Sequence, residues 1–336
     1  MKKSFIQLAV ISAISILTTA CYTTDTLKVE KSSALELPSS VTIKGIALNP
    51  EGIEYNKNKH TFLLSSLNAA PVVQVNLDGT YKTFTSGEAF PMSTAGLQID
   101  YKRDRLLVAA FNGLELMDNK PQTKGASHLR IYNLTTGVLE QDIDLSSLAP
   151  KANAYFANDV AVDNEGNVYI SDWYANLIYK VDLSGKKSIF WKNNSGIEGG
   201  PNGLDFHANG HLLVSLIKVS NKGLYTDYGL VKIPLNDPKS ATNVKIPKSA
   251  FSGFDGMVIT QNGDVVGVTN SQKSPGGNML ISLYSKDNWN SANVVNTKDI
   301  TASTTVAITP QNENFVINQD FTDNFKKSWK IEKIKF

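Results

Sequence analysis

One cysteine, four histidines and a formal net charge of only +2 set the first limits on this 336-residue chain. A lone cysteine, Cys21, leaves no internal disulfide to staple the fold. Thirty-three basic residues nearly balance thirty-one acidic ones, and no basic cluster appears beyond Lys326-Lys327. That balance argues against a nucleic-acid partner, which calls for a basic face. No Gly-x-Ser-x-Gly elbow occurs, which argues against a serine hydrolase. Past the N-terminal segment there is no apolar run of membrane length.

The N-terminus carries an address. Met1-Lys-Lys is basic, Phe5 to Leu17 is mostly apolar, and the small residues Thr18-Thr19-Ala20 precede Cys21. This is the pattern of a signal peptide over residues 1–20, and it predicts export. The cysteine directly after Ala20 resembles a bacterial lipoprotein signal, with Cys21 carrying lipid after cleavage. Thr18 departs from that pattern, which usually has leucine there; Leu17 is one place early. The reading places the mature protein in the bacterial periplasm or cell envelope, lipid-anchored and monomeric. Residues 21–40 are polar and read as a tether, leaving 41–336 for the folded domain.

What the chain has in quantity is a repeated β unit. Asn158-Asp-Val-Ala-Val162 is followed by a turn, Asp163 to Gly166, and a second apolar run, Val168 to Ser171. Asp, Asn and Gly favour turns because they tolerate positive φ or bond their own backbone. The same order recurs from Gly203 and Gly256, and more weakly from Gly52, Gly96 and Val306. The second strands are expected near 61, 105, 167, 211, 264 and 314. Four-stranded repeats of about 40–50 residues are the signature of propeller blades. Six copies predict an all-β, six-bladed β-propeller. The alternating C-terminal segment Lys327 to Phe336 would be the last blade's third strand, and Val41 to Leu48 its outer strand, closing the ring.

In such blades the first strands line the axis, so the residues just before them meet at one point. Those residues are Glu51, Ala95, Asn158, Asn202, Asp255 and Thr305. One Asn-Gly or Asp-Gly before a strand is common turn chemistry. Four oxygen-bearing side chains at matched positions are not explained that way. Carboxylates buried side by side need a cation or a proton between them. Glu51, Asn158, Asn202 and Asp255 suit a hard divalent cation, Ca²⁺ before Zn²⁺, Mn²⁺ or Mg²⁺. No His or Cys occupies the ring, which counts against a dedicated zinc site.

Glu51-Gly-Ile, Asn158-Asp, Pro201-Asn202-Gly and Asp255-Gly resemble the metal ligands of the gluconolactonase and senescence-marker-protein (regucalcin) family, across essentially the whole propeller. The resemblance implies one catalytic divalent metal, lactone hydrolysis and kinship with paraoxonases. It also ties Asp159 to a residue that in paraoxonases lies near a second, structural calcium. Two positions depart from it. Phe156 stands where sugar-lactone hydrolases often have an arginine, and Ala95 where paraoxonases have a histidine.

The expected function is metal-dependent hydrolysis of a small lactone or ester. Asp255 is the candidate base and Glu51 the second, because a carboxylate beside a metal can both ligate and take a proton. Ala95 and Thr305 would leave room for substrate. Phe156, Trp173 and Tyr174 are candidate pocket residues, with Tyr225 and Tyr228 beside them. The second-to-third-strand loops on the ring face, Asn112 to Ser127, Ile217 to Tyr228 and Asn270 to Asn278, would wall the site. Asp172 would bond a ligand or a loop. His60, His207 and His211 read as surface, and His128 as core or surface. The alternative is a non-catalytic ligand- or protein-binding propeller with a structural metal.

Overall fold

The computed structural model describes residues 36–112, 124–220, 225–247, 251–269, 277–319 and 326–336. The expected signal peptide, Cys21 and most of the expected tether lie outside the described residues. Among the described residues, Leu37 already packs with the folded unit. Leu37 is buried in the core, and its carbonyl accepts from Lys333 Nζ at 3.1 Å.

Turn chemistry shapes each blade. In Asp163-Asn-Glu-Gly166, the Gly166 N–H donates to Asp163 O at 3.0 Å, and Gly166 takes the positive φ of 91° that the turn needs. The Asp163 carboxylate accepts from Asn167 N–H at 2.8 Å. Apolar β-branched runs flank such turns and pair as antiparallel strands.

Six four-stranded sheets result. In chain order, β1 (Ser40–Lys44) comes first. Blade one is β2 (Ile53–Asn56), β3 (Thr61–Leu64), β4 (Val73–Val75) and β5 (Tyr81–Thr83). Blade two is β6 (Ser93–Asp100), β7 (Arg105–Phe111), β8 (Ser127–Asn133) and β9 (Leu139–Asp144). Blade three is β10 (Ala157–Val162), β11 (Val168–Asp172), β12 (Leu177–Val181) and β13 (Lys187–Lys192). Blade four is β14 (Gly200–His207), β15 (His211–Val219), β16 (Tyr225–Pro234) and β17 (Thr242–Asn243). Blade five is β18 (Met257–Ile259), β19 (Val265–Thr269), β20 (Met279–Tyr284) and β21 (Asn293–Asp299). Blade six is β22 (Ser303–Ile308), β23 (Asn314–Asn318) and β24 (Ser328–Ile334), completed by β1. The fold is the expected six-bladed propeller, and each second strand starts within a residue of its expected place. The first and last segments join as expected, with Ile43 opposite Trp329. Trp329 is buried there and its Nε1 donates to Ile46 O at 2.9 Å.

Apolar clusters fill the spaces between blades. One holds Phe62, Phe315 and Trp329 across the closure; another holds Tyr169, Trp191 and Leu212 between blades three and four.

The first strands carry the feature that builds the site. In blades two, three, four and six, pairing with the second strand slips at one point: Ala95-Gly96, Asn158-Asp159, Asn202-Gly203 and Thr304-Thr305. These are β-bulges, which turn a side chain out of the regular pleat. In blades one and five the equivalent pairs, Glu51-Gly52 and Asp255-Gly256, precede the strand.

Next to each bulge the blades touch. Gly203 N–H donates to Asp255 O at 2.9 Å, and Gly256 N–H donates to Thr304 O at 2.6 Å. A Cβ on Gly203 would sit 2.5 Å from Asp255 O. Gly203→Ala is therefore expected to lower stability by about 1–3 kcal/mol, because backbone must move. A urea unfolding midpoint equal to wild type would contradict that close approach.

Candidate functional site

Glu51, Asn158, Asn202 and Asp255 come from four blades and line one small cavity on the axis, of about 40 Å³. All four are buried. Asn202 Nδ2 donates to Asp255 Oδ1 at 3.0 Å. The other end of that amide, Asn202 Oδ1, is buried and has no hydrogen-bond partner. A buried amide oxygen left without a donor costs about 1–3 kcal/mol. A cation would satisfy it and would also relieve the two carboxylates that share this buried cavity. Two carboxylates and two amide oxygens thus fit a hard divalent ion. Among the described residues no cluster of three or more His, Cys, Asp or Glu is placed to hold a metal, so any ion here depends on the two amides.

The backbone beneath these side chains is fixed. Thr304 Oγ1 donates to Glu51 O at 2.7 Å, and Ser171 Oγ donates to Asn202 O at 2.7 Å. The sixth ring residue is therefore Thr304, and the expected Thr305 is one place late. Thr305 instead lines the channel below. Ala95 opens no space either. It is fully buried in a cluster with Leu67, Phe111 and Phe156.

That cluster forms the wall. Phe156 packs on Phe111 with ring centres 4.2 Å apart and meets Trp173 at 6.0 Å. Phe156 and Trp173 line the cavity as expected, while Tyr174 lies behind them, 6.0 Å from Phe156 and 40% exposed. Asp172 is a holder of this wall. Its carboxylate accepts from Phe156 N–H and Ala175 N–H, both at 2.9 Å, and from Ser127 Oγ at 2.8 Å. Burial raises its pKa, and these bonds oppose the rise.

The expected loop Ile217 to Tyr228 is largely an extension of a hairpin, with Val219 opposite Tyr225. It brings Val219 and Tyr225 into the cavity lining. Tyr225 is buried, and its phenol is pushed well above its ordinary range by burial, then by Asp255 and Glu51. It was among the aromatics expected beside the pocket, and of the two tyrosines expected from that loop it is the one that lines the cavity. Tyr228 packs on Phe251 instead. Residues 113–123, 221–224 and 270–276, within the three expected wall loops, lie outside the described residues.

Below the ring a channel of about 320 Å³ runs along the axis, touching Glu51 and Asn158 at one end and Tyr101 and Pro310 at the other. Glu54 and Asp159 line it, and Asp205 stands close enough to act on both by its charge. Asp159 accepts from Val160 N–H at 2.8 Å and Leu204 N–H at 3.0 Å. Asp205 accepts from Phe206 N–H and Ile259 N–H, each at 2.7 Å. Burial pushes Asp159 up to about 7 and Asp205 up to about 6. Glu54 is raised well above its usual range by burial, then by Asp205 and Asp159. Raised carboxyls keep their protons longer in the folded state than in the unfolded one. Their contribution is complete below about pH 4 and is lost as pH rises through 6 to 7. Chelator-treated protein is expected to melt several degrees lower at pH 7.5 than at pH 5, and Asp205→Asn to flatten that slope. A Tm that rises over this window would contradict the assignment.

The histidines depart from expectation. His207 and His211 are buried, stacked at 4.6 Å, and His207 meets Trp289 of the next blade. His60 is exposed, as expected. His128 bonds Asp142 at 2.6 Å on the flank of blade two and does not line the cavity.

No family model matches the chain, and no curated protein matches it. Solved structures do. The fold is that of the gluconolactonase and regucalcin propellers. A gluconolactonase from Xanthomonas campestris aligns at a TM-score of 0.57 and 13% identity, covering 88% of this chain and 89% of that one. A calcium-binding regucalcin from Agrobacterium tumefaciens gives 0.55 and 17%, covering 85% and 90%. The major Malassezia sympodialis allergen Mala s 1 gives 0.72 and 20%, covering 89% and 97%. At such identities the likeness is one of fold, and the chemistry must be argued from the site.

Proposed function

We propose that the protein is a metal-dependent lactone or ester hydrolase, with Glu51, Asn158, Asn202 and Asp255 holding one divalent cation, Ca²⁺ by preference. The observation that carries this reading is the orphaned Asn202 Oδ1 beside Asp255, in a cavity shared with Glu51 and Asn158. When bound, such an ion supplies Lewis acidity to an ester carbonyl. The chain supplies the rest. Asp255 takes a proton from water as the water oxygen attacks the carbonyl carbon, with Glu51 the second candidate base. Tyr225, kept protonated, donates to the oxygen that gains charge. As the carbon–oxygen bond breaks, the leaving oxygen recovers the proton from Asp255.

Tyr225→Phe is expected to lower kcat about tenfold or more and leave metal content at the wild-type level. Loss of metal together with activity would assign Tyr225 to support of the ring.

The decisive experiment is metal analysis of the purified protein, followed by a lactone and aryl-ester screen with and without chelator. Hydrolysis abolished by chelator and restored by Ca²⁺ is expected. Export and lipid anchoring through Cys21 belong to the same proposal, as does action as a monomer on a small molecule rather than a nucleic acid. The second reading is a binding propeller with a structural metal, which the narrowness of the cavity favours. It predicts bound metal and no turnover.

A further inference from the structure

The wall above the four oxygen ligands has a one-sided chemistry. Leu67, Phe156, Trp173 and Val219 line it, with Tyr225. Among the described residues lining the cavity there is no lysine, arginine or histidine. The polar groups of the wall are largely committed. Trp173 Nε1 donates to Ile217 O at 2.9 Å, and Thr304 Oγ1 donates to Glu51 O. The nearby lysine, Lys218, is paired with Glu198 on the exposed side of its strand.

The wall is also stiff. Asp172 ties down the backbone of Phe156. Trp173 fits so closely against blade four that a Cβ on Gly200 would lie 2.2 Å from its Cδ1. Beyond the Tyr225 hydroxyl, a sugar hydroxyl pressed on this wall would lose its water and find no side-chain partner among the described lining residues, a penalty of roughly 5- to 150-fold in affinity for each. A methylene would gain about three- to fourfold instead. The cavity of about 40 Å³ admits the reacting group and little more. A longer ligand must therefore reach outward from the cavity past its lining residues Phe156 and Trp173.

We propose that this site takes an uncharged, apolar lactone or ester, its carbonyl at the ring and its alkyl or aryl tail against Phe156 and Trp173, and that it disfavours polyhydroxylated sugar lactones. The inference rests on the hydrolase reading for turnover but not for binding, so the two are separable.

The test uses the full chain loaded with Ca²⁺. Hydrolysis is measured for γ-lactones with alkyl tails of increasing length and for glucono-δ-lactone. Binding is measured with the matching γ-alkyl lactams, which resist hydrolysis, by quenching of tryptophan fluorescence. We expect kcat/KM to rise about three- to fourfold per methylene over the first few. Gluconolactone should fall at least about 100-fold below the best alkyl lactone. Lactam quenching should follow the same order and largely vanish in Trp173→Phe. Preference for gluconolactone, or no dependence on tail length, overturns the inference and leaves the hydrolase reading standing. Lactam binding with the tail-length trend and no hydrolysis of any lactone supports the ligand class and overturns the hydrolase reading. Neither binding nor hydrolysis overturns both.

Discussion

Asp255→Asn is expected to cut lactone turnover about 100-fold or more while lowering metal occupancy only modestly. The asparagine keeps an oxygen for an ion but cannot take a proton from water, and general-base assistance is worth about 10²–10⁴ in rate. It also removes the acceptor of the Asn202 Nδ2 bond as a charged group. Asp255→Ala removes oxygen and charge together, and metal affinity should fall by at least about 100-fold, beyond the loss typical of groups that merely support ligands. Turnover and metal content, measured side by side, separate the two substitutions. Wild-type turnover in Asp255→Asn would pass the role of base to Glu51, which shares the cavity.

The second large effect is on the wall. Asp172→Ala should cost about 3 kcal/mol or more, because it strands the N–H groups of Phe156 and Ala175 and the hydroxyl of Ser127 away from water. Asp172→Asn keeps two acceptors at one oxygen and should cost less. Since Phe156 is released in Asp172→Ala and still held at Oδ1 in Asp172→Asn, KM for an apolar substrate should rise in the first and stay near wild type in the second. Urea unfolding and KM measured on both variants check this. A stable Asp172→Ala with unchanged KM would mean that Phe156 is held by its packing on Phe111 alone.

These residues differ in how visible they were in the sequence. Glu51, Asn158, Asn202 and Asp255 were legible because a repeat puts equivalent positions in register, and a propeller brings them to one axis. The glycines at 52, 96, 203 and 256 marked that register, since at each of them a Cβ would lie within 2.5 Å of the neighbouring blade, while blade three carries Asp159 at that place. Blade six has Thr305 at the glycine's place, so its frame slipped by one and Thr304 was missed. The burial of His207 and His211 arises between turns of neighbouring blades, where Trp289 supplies the cover. No local pattern encodes that contact. Tyr225 was legible as a candidate pocket aromatic but not as a neighbour of the ring: its hairpin continues beyond the blade, and the pairing with Val219 carries it there. Glu54 and Asp205 each stand three residues after a ring position, a signal that was present and went unused.

The central claim, that four side chains from four blades hold one cation, is tested most directly by equilibrium dialysis against Ca²⁺ with wild type, Asn202→Ala and Asp255→Ala. The expected result is one ion per wild-type chain, weaker binding in Asn202→Ala and binding lost in Asp255→Ala, with all three proteins folded by circular dichroism. Equal Ca²⁺ binding by all three folded proteins, or none by the wild type, would contradict it.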